Sequence, residues 1–99
     1  MNHSYVLKTP EDTAKELAKK IRDLRLGKNW KQSTLAERSG VSLASLRRFE
    51  RTGQASVQNM LKLCFALGRL DEFDLLLEPA RASTIDELVP TRTSQRGST

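Results

Sequence analysis

The sequence predicts an all-α domain of five helices with flexible termini. Apolar residues recur three and four positions apart in several segments, which is the spacing of a helix with one buried face. Capping and turn residues, among them Gly40, Ser42 and Pro79, separate these segments. No segment alternates apolar and polar residues over the length of a strand, so a sheet is not expected.

The first two helices are predicted from their boundary residues. Helix one begins after Thr9, an N-cap followed by proline and two acids, and continues to about residue 28. The residues expected to face the core from this helix are Ala14, Leu17, Ile21 and Leu24. Helix two is expected over residues 32–39, and Gly40 then supplies the permissive backbone of a sharp turn.

The last three helices are predicted over residues 43–51, 57–67 and 71–77. Ser42 and Ser56 are the N-caps of the third and fourth helices. Gly68 ends the fourth helix, and Pro79 limits the fifth. Beyond them, Thr84 with Glu87 three residues later forms a capping-box pattern for one further helical turn.

Composition and charge favour an anionic partner and argue against catalysis. The 99 residues carry a formal net charge of +5, and segment 8–51 contains twelve Lys and Arg against six Asp and Glu. Segment 52–90 reverses this balance, with three basic against six acidic residues. A chain of this size has little room for a deep pocket. Its one histidine, His3, lies near the start, and no acid pair stands with a candidate nucleophile.

These observations lead us to expect no enzyme activity, no cofactor and no metal site. The single cysteine, Cys64, lies in an apolar run and cannot form an internal disulfide, which fits a reducing cytosol. No apolar stretch is long enough for a signal peptide or a membrane span, so a cytoplasmic protein is expected.

The third helix carries the functional argument, because its residues separate into two faces at about 100° per residue. Leu46 and Phe49 fall on one side, and the opposite side contains Ala44, Arg47, Arg48 and Arg51. Guanidinium groups can bind phosphate or bond guanine in a bidentate fork. An arginine-rich face that is merely solvated is the alternative. The preceding Gly-Val-Ser turn and the partner helix favour a helix that enters the DNA major groove.

A set of residues through this region has the pattern of a known family. The set comprises Ile21-Arg22-x-Leu24-Arg25, Gln32, Leu35-Ala36, Gly40-Val41-Ser42, Leu46, Phe49-Glu50 and Gly53, then Met60-Leu61-x-Leu63 and Ala66-Leu67-Gly68. On these residues, positions 17–77 resemble the lambda-repressor-like (Xre/Cro) helix-turn-helix family. The resemblance implies a helix-turn-helix DNA-binding domain over residues 10–78. From the composition of the flanking segments we expect an N-terminal arm (1–9), a partly ordered extension (79–90) and a disordered tail (91–99).

The resemblance also implies roles for individual residues. The implied DNA contacts are Lys31, Gln32, Ser33, Ser42, Leu43, Ala44, Ser45, Arg47, Arg48, Arg51 and Gln54. Gln32 would bond a phosphate and brace the recognition helix, and Arg48 would read bases, whereas Arg47 would meet either bases or the backbone. Arg25 and Glu50 match a structural ion pair.

Three residues depart from the family pattern. Asn29 stands where many members have glycine, but Asn tolerates the left-handed conformation, so the turn is expected to form. Lys31 replaces the usual Ser or Thr cap of the second helix and offers a phosphate contact instead. Leu43 replaces a frequently polar residue, and it either meets a thymine methyl or closes the turn.

A narrower resemblance follows from Arg48-Phe49-Glu50-Arg51-Thr52-Gly53 and from Ala66-Leu67-Gly68-x-Leu70-Asp71-Glu72-Phe73. These runs look like HipB-type antitoxins, which are associated with HipA-type kinase toxins. The implied protein is a nucleoid-associated repressor of its own toxin-antitoxin operon that binds a palindromic operator as a homodimer. A toxin or accessory subunit would be its other partner, and the acidic second half would face that partner.

Two questions stay open in the sequence. The dimer interface is expected at exposed members of Leu70, Phe73, Leu76 and Leu77, and residues 4–8 either add a short extended segment to it or fray. The rival function is a protein-interaction adaptor that neutralises a toxin or a repressor without reading DNA. An adaptor would not need the row of arginines.

Overall fold

The computed structural model describes residues 8–79 and contains four α-helices followed by one 3-10 helix. Their bounds are Pro10–Gly27 (α1), Gln32–Ser39 (α2), Leu43–Thr52 (α3), Val57–Ala66 (α4) and Leu70–Leu75 (the 3-10 helix). The predicted all-α class with five helices is confirmed, and residues 8–79 include no strand. The expectations for residues 1–7, for the helical turn at Thr84 and for the tail lie outside the described residues.

Local capping fixes both ends of α1 as its sequence predicts. Thr9 Oγ1 accepts a hydrogen bond from the Asp12 amide at 3.0 Å, and Asp12 Oδ2 accepts one from the Thr9 amide at 3.2 Å. This reciprocal capping box, with Pro10 at the first helical position, satisfies amides that have no partner inside the helix. After α1 the chain reverses at Asn29, whose φ of 60° is the left-handed conformation that asparagine tolerates.

The turn between α2 and α3 depends on Gly40. Its φ is 80°, and its amide donates to the Ala36 carbonyl at 2.9 Å, which closes the end of α2. Ser42 then starts α3, because its hydroxyl accepts a hydrogen bond from the Ser45 amide at 3.1 Å. The turn between these two caps is short, so the directions of α2 and α3 are tightly coupled.

The core lies where α1, α2, α3 and α4 meet. Its four fully buried large side chains are Leu35, Leu46, Phe49 and Leu63. From α1 the buried residues are Ala18, Ile21 and Arg25, whereas Leu17 is 41% exposed, so the expected core position of Leu17 is wrong. Ile21 is buried as expected, and Arg25 is the buried residue of α1 that reaches Glu50 of α3.

The fifth helix differs from the prediction in type and length. It is a 3-10 helix of six residues instead of an α-helix over 71–77, and Leu77 has a left-handed φ of 62°. A segment this short gains few α-helical hydrogen bonds for the cost of nucleation. Phe73 is its side chain packed against the core, and one tight turn is enough to place it there.

Arg25 and Glu50 form a bidentate ion pair inside the domain. Arg25 Nε lies 2.8 Å from Glu50 Oε2, and Arg25 Nη2 lies 2.9 Å from Glu50 Oε1. Their side chains are only 9% and 6% exposed. Arg25 Nη1 also donates to the Trp30 carbonyl at 2.9 Å, and Gln32 Nε2 donates to Glu50 Oε1 at 2.9 Å. This network connects α1, the turn after it, α2 and α3.

Gly53 permits a close approach between the end of α3 and the start of α1. A Cβ atom at Gly53 would lie 2.9 Å from the Ala14 carbonyl carbon, which is backbone and cannot move aside cheaply. At Gly40 the φ is similar, but no atom lies within 4 Å of the corresponding position. A side chain at Gly40 would therefore cause backbone strain alone, whereas a side chain at Gly53 would cause both backbone strain and a steric clash.

We expect Gly53→Ala to destabilise the protein more than Gly40→Ala does. The left-handed backbone costs about 1–2 kcal/mol in both variants, and overpacking adds about 1–3 kcal/mol at position 53 alone. Urea unfolding followed by circular dichroism measures the difference. Equal losses at the two positions would show that α1 and α3 are not in close contact at Gly53.

The ion pair should show strong coupling in a double-mutant cycle. Arg25→Ala or Glu50→Ala leaves one buried charge unpaired, which costs about 3–5 kcal/mol, whereas the double variant removes both charges. We expect a coupling free energy of about 0.5–3 kcal/mol in thermal unfolding. The exposed pair of Lys19 and Asp23, whose charged atoms lie 3.0 Å apart, serves as a control. Its coupling free energy should be about 0.3–0.5 kcal/mol, the value typical of surface pairs within a helix. Additive losses for Arg25 and Glu50 would refute the coupling.

Candidate nucleic-acid interface

The two faces of α3 differ completely in their surroundings. Leu46 and Phe49 have no exposed surface and anchor the helix in the core. On the other side, the exposed residues are Ala44, Arg47, Arg48 and Arg51. Within one rigid helix, the buried side therefore sets the direction of the three guanidinium groups. This face is basic, narrow and rigid, which suits contact with an anionic groove.

The start of α3 exposes small polar side chains. Ser42 is exposed and Ser45 is half-buried, and the two hydroxyl oxygens lie 2.9 Å apart in a hydrogen bond. Leu43 is half-buried and packs against the core. Of the two roles left open for Leu43, its packing favours closing the turn.

The N-terminus of α2 is a second part of the same candidate interface. Lys31 occupies the N-cap position without a side-chain cap hydrogen bond, and both Lys31 and Ser33 are exposed. Helix amides that lack a capping acceptor point outward together with the positive end of the helix dipole. Such an end is suited to a phosphate oxygen. Gln32 is half-buried, and its amide nitrogen is bonded to Glu50 of α3.

Arg48 is joined to the loop that follows α3. Its Nη2 donates to Gln54 Oε1, and both side chains are exposed. The loop is held in turn by Thr52, whose hydroxyl donates to the Arg48 carbonyl at 2.7 Å and accepts from the Gln54 amide at 3.1 Å. A guanidinium group has five N–H donors, so this bond leaves Arg48 with further donors for a ligand.

Ser45, Arg48 and Gln54 meet at one small cavity. The cavity has a volume of about 100 Å³ and lies between α3 and the beginning of α4, where Ser56 and Asn59 complete its polar wall. Ser56 caps α4 by accepting from the Asn59 amide at 3.0 Å. The structure thus brings the start of α3, its arginine face and the following loop together around one opening.

Trp30 adds a feature that sequence reasoning missed. The Arg38 guanidinium carbon lies 4.6 Å from the centre of the Trp30 ring, and Lys28 Nζ lies 5.3 Å from it. Cations over an indole ring are attracted by its negative face. The signal in the sequence was a lone tryptophan beside Lys28 and Lys31, but the approach of Arg38 from α2 depends on the fold.

Most of the exposed large apolar side chains lie between Phe65, near the end of α4, and Leu77, just beyond the 3-10 helix, whereas Val57 stands apart at the start of α4. The most exposed are Val57 at 76%, Phe65 at 70%, Leu75 at 77% and Leu77 at 92%. We call Phe65, Leu70, Leu75 and Leu77 the apolar patch. Leu70, Leu76 and Leu77 are exposed, as an interface requires, whereas Phe73 is half-buried against the core. Phe65 was not among the residues expected there.

Metal, thiol and membrane-spanning sites each have structural requirements that can be compared with the described part of the chain. Residues 8–79 contain no group of three or more His, Cys, Asp or Glu side chains that could hold a metal ion. Burial raises the pKa of the Cys64 thiol, and the Glu72 carboxylate adds to this effect while Arg69 opposes it. A thiol with a raised pKa is a weaker nucleophile at neutral pH. None of the helices in this segment is long and apolar enough to cross a membrane.

Comparison with known proteins assigns the family. The helix-turn-helix family model matches residues 21–73, which is more than half of the chain. The match includes the last seven residues of α1, all of α2, α3 and α4, and the first four residues of the 3-10 helix. No curated protein and no solved structure gave a match. The match coincides with the buried ion pair, the Gly40 turn and the arginine face described above. The chain therefore belongs to the lambda-repressor-like helix-turn-helix family, whose members are DNA-binding regulatory domains.

Proposed function

We propose that this protein is a sequence-specific transcriptional repressor that inserts α3 into the major groove of its operator. The observation that supports this most is the separation of α3 into a fully buried apolar side and an exposed arginine side. Arg48 would read bases, because its remaining N–H donors can form the fork that guanine O6 and N7 accept. Arg47 and Arg51 would bind bases or flanking phosphates.

The N-terminus of α2 would hold the DNA backbone beside that groove. Lys31, Ser33 and the uncapped helix amides supply donors for phosphate, and the bond from Gln32 to Glu50 keeps α2 in register with α3. Phosphate contacts position a protein on the duplex without reading its sequence. The residues at the start of α2 would therefore contribute affinity for any DNA, and the arginines of α3 would contribute sequence specificity.

A homodimer on a palindromic operator follows from the small reach of one recognition helix. One helix reads only a few base pairs, and two related by a two-fold axis would read half-sites about 34 Å apart. The apolar patch is the surface that we assign to this contact, since patches of exposed apolar side chains mark protein interfaces. It lies outside α2 and α3, so dimer formation would leave the DNA-binding residues free.

The finer proposal is an antitoxin that autoregulates a HipA-type toxin-antitoxin operon. Its support is the resemblance of residues 48–53 and 66–73, together with the acidic Asp71 and Asp74 beside Phe65 and Leu70 of the apolar patch. That surface would bind the toxin or accessory subunit. An adjacent kinase-like reading frame whose product co-purifies with this protein would support the proposal. Its absence would leave a stand-alone repressor.

We expect this protein to bind DNA from upstream of its own gene in a gel-shift assay, with two chains per duplex, more tightly than it binds an unrelated duplex.

Lys31→Ala should weaken binding to both duplexes equally. It should also lower the slope of log affinity against log salt concentration by about one ion, because one phosphate contact is lost. Gel-shift titrations at several salt concentrations measure both effects. Lys62→Ala, which removes an exposed charge from α4, is the matched control and should keep the slope. No DNA complex under any condition would favour the adaptor function.

Arg48→Ala should cost about 1–3 kcal/mol of operator affinity and relax the preference at one operator position. Arg48→Lys retains the charge but not the bidentate fork, so it should recover affinity for all sequences without recovering that preference. Selection of binding sites from a random pool gives the consensus for each variant. The same consensus for parent and variants would remove Arg48 from base reading.

A further inference from the structure

An open apolar groove lies between α1, α4 and the 3-10 helix, separate from the candidate DNA surface. Its volume is about 310 Å³. The apolar side chains that line it include Leu17, Leu24, Met60, Cys64, Phe73 and Leu76. Leu17 and Leu76 are 41% and 57% exposed, so the groove is not closed by residues 8–79. Apolar surface of this kind is unfavourable in water unless something covers it.

We propose that residues 84–89 of the same chain fold into one helical turn and occupy this groove. Leu88 and Val89 follow Ile85 by three and four residues, and this spacing places the three side chains on one side of a helix. Thr84 and Glu87 have the capping-box spacing that starts such a turn. The segment therefore offers an apolar face of three branched side chains to an apolar groove.

Chain connectivity brings this segment to the groove. Leu76 lines the groove itself, and the chain turns sharply at Leu77, whose φ is 62°. From Pro79 to Thr84 the extended chain spans at most about 18 Å, which keeps the segment beside the groove. A short tether of this kind gives an effective concentration of about millimolar order, so even weak docking is favoured within one chain.

Charge also matches between the segment and the rim of the groove. Lys20 of α1 and Arg69 lie at the rim together with one acid, Glu72, which is ion-paired with Arg69. The segment contributes Asp86 and Glu87. Opposite charges around an apolar contact favour one partner over others.

A second copy of the chain fits this groove less well. A two-fold contact places the same surface of each chain against the other. Lys20 and Arg69 would then face the same charges of the second copy, and a concave surface would face a concave surface. The segment 84–89 supplies the missing convex apolar face without like-charge contacts.

Cys64 gives a direct measurement of the groove's occupancy. It is the only cysteine of the chain, it lines the groove, and it is 6% exposed. In the full-length protein we expect the double variant Ile85→Asp, Leu88→Asp to label with a disulfide reagent at least about tenfold faster than the parent. Loss of the burial of two aliphatic side chains weakens docking by more than about tenfold. The groove would therefore be open much more of the time in the variant.

The control variant Ser83→Asp, Thr91→Asp adds the same two charges outside the apolar positions and should label like the parent. A peptide of residues 80–90, added to the Ile85, Leu88 variant, should restore slow labelling in a saturable way, and a scrambled peptide should not. The Tm of each variant separates opening of the groove from global unfolding. DNA binding is not part of the readout, so this proposal can fail while the repressor proposal stands.

Three results would overturn the proposal. Equal labelling rates in the parent and in the Ile85, Leu88 variant would show that the segment does not cover Cys64. Protection that increases with protein concentration and ignores the substitutions would assign the groove to a second copy. Failure of the 80–90 peptide to protect Cys64 in the variant would show that the segment has no affinity for the groove.

Discussion

Arg25 and Glu50 carry opposite charges into the apolar interior, and the position of α3 depends on how these charges are satisfied. The guanidinium group bonds both carboxylate oxygens and the Trp30 carbonyl, and Gln32 bonds the same carboxylate. Buried charges are tolerated only when such bonds replace those to water. Any rotation of α3 that broke this arrangement would leave a charge unpaired. The network thus fixes the direction of the opposite face, where the exposed arginines lie.

The surface that we propose for DNA therefore rests on packing as much as on charge. Leu46 and Phe49 hold α3 from inside, and Gly53 lets its end approach the backbone of α1. Precise placement matters for base reading, because a bidentate fork tolerates little displacement. The apolar patch and the apolar groove lie elsewhere, on α4, the 3-10 helix and α1. DNA contact, association of copies and docking of residues 84–89 would then use three separate surfaces.

Local signals predicted the elements well and the tertiary contacts less well. The caps Thr9, Ser42 and Ser56 bond as their positions predict, because a cap involves only residues within one helical turn. The helical spacing in α1 predicted a core face of Ala14, Leu17, Ile21 and Leu24, but Leu17 is exposed and Arg25 is buried. A rule that places charged residues outside cannot anticipate a buried arginine whose partner lies 25 residues away, so this ion pair was expected only from the family resemblance.

The sequence by itself determined the boundaries of α1 to α4 to within one residue, the Gly40 turn and the two faces of α3, since each depends on neighbours in the chain. The tertiary structure decided which contacts join distant residues: Arg38 over Trp30, Gln32 on Glu50, and Phe73 as the core contact of a 3-10 helix. It also decided that α1, α4 and the 3-10 helix leave a groove open. Such contacts arise from the packing of whole helices, and short-range spacing holds no information about the distances between them.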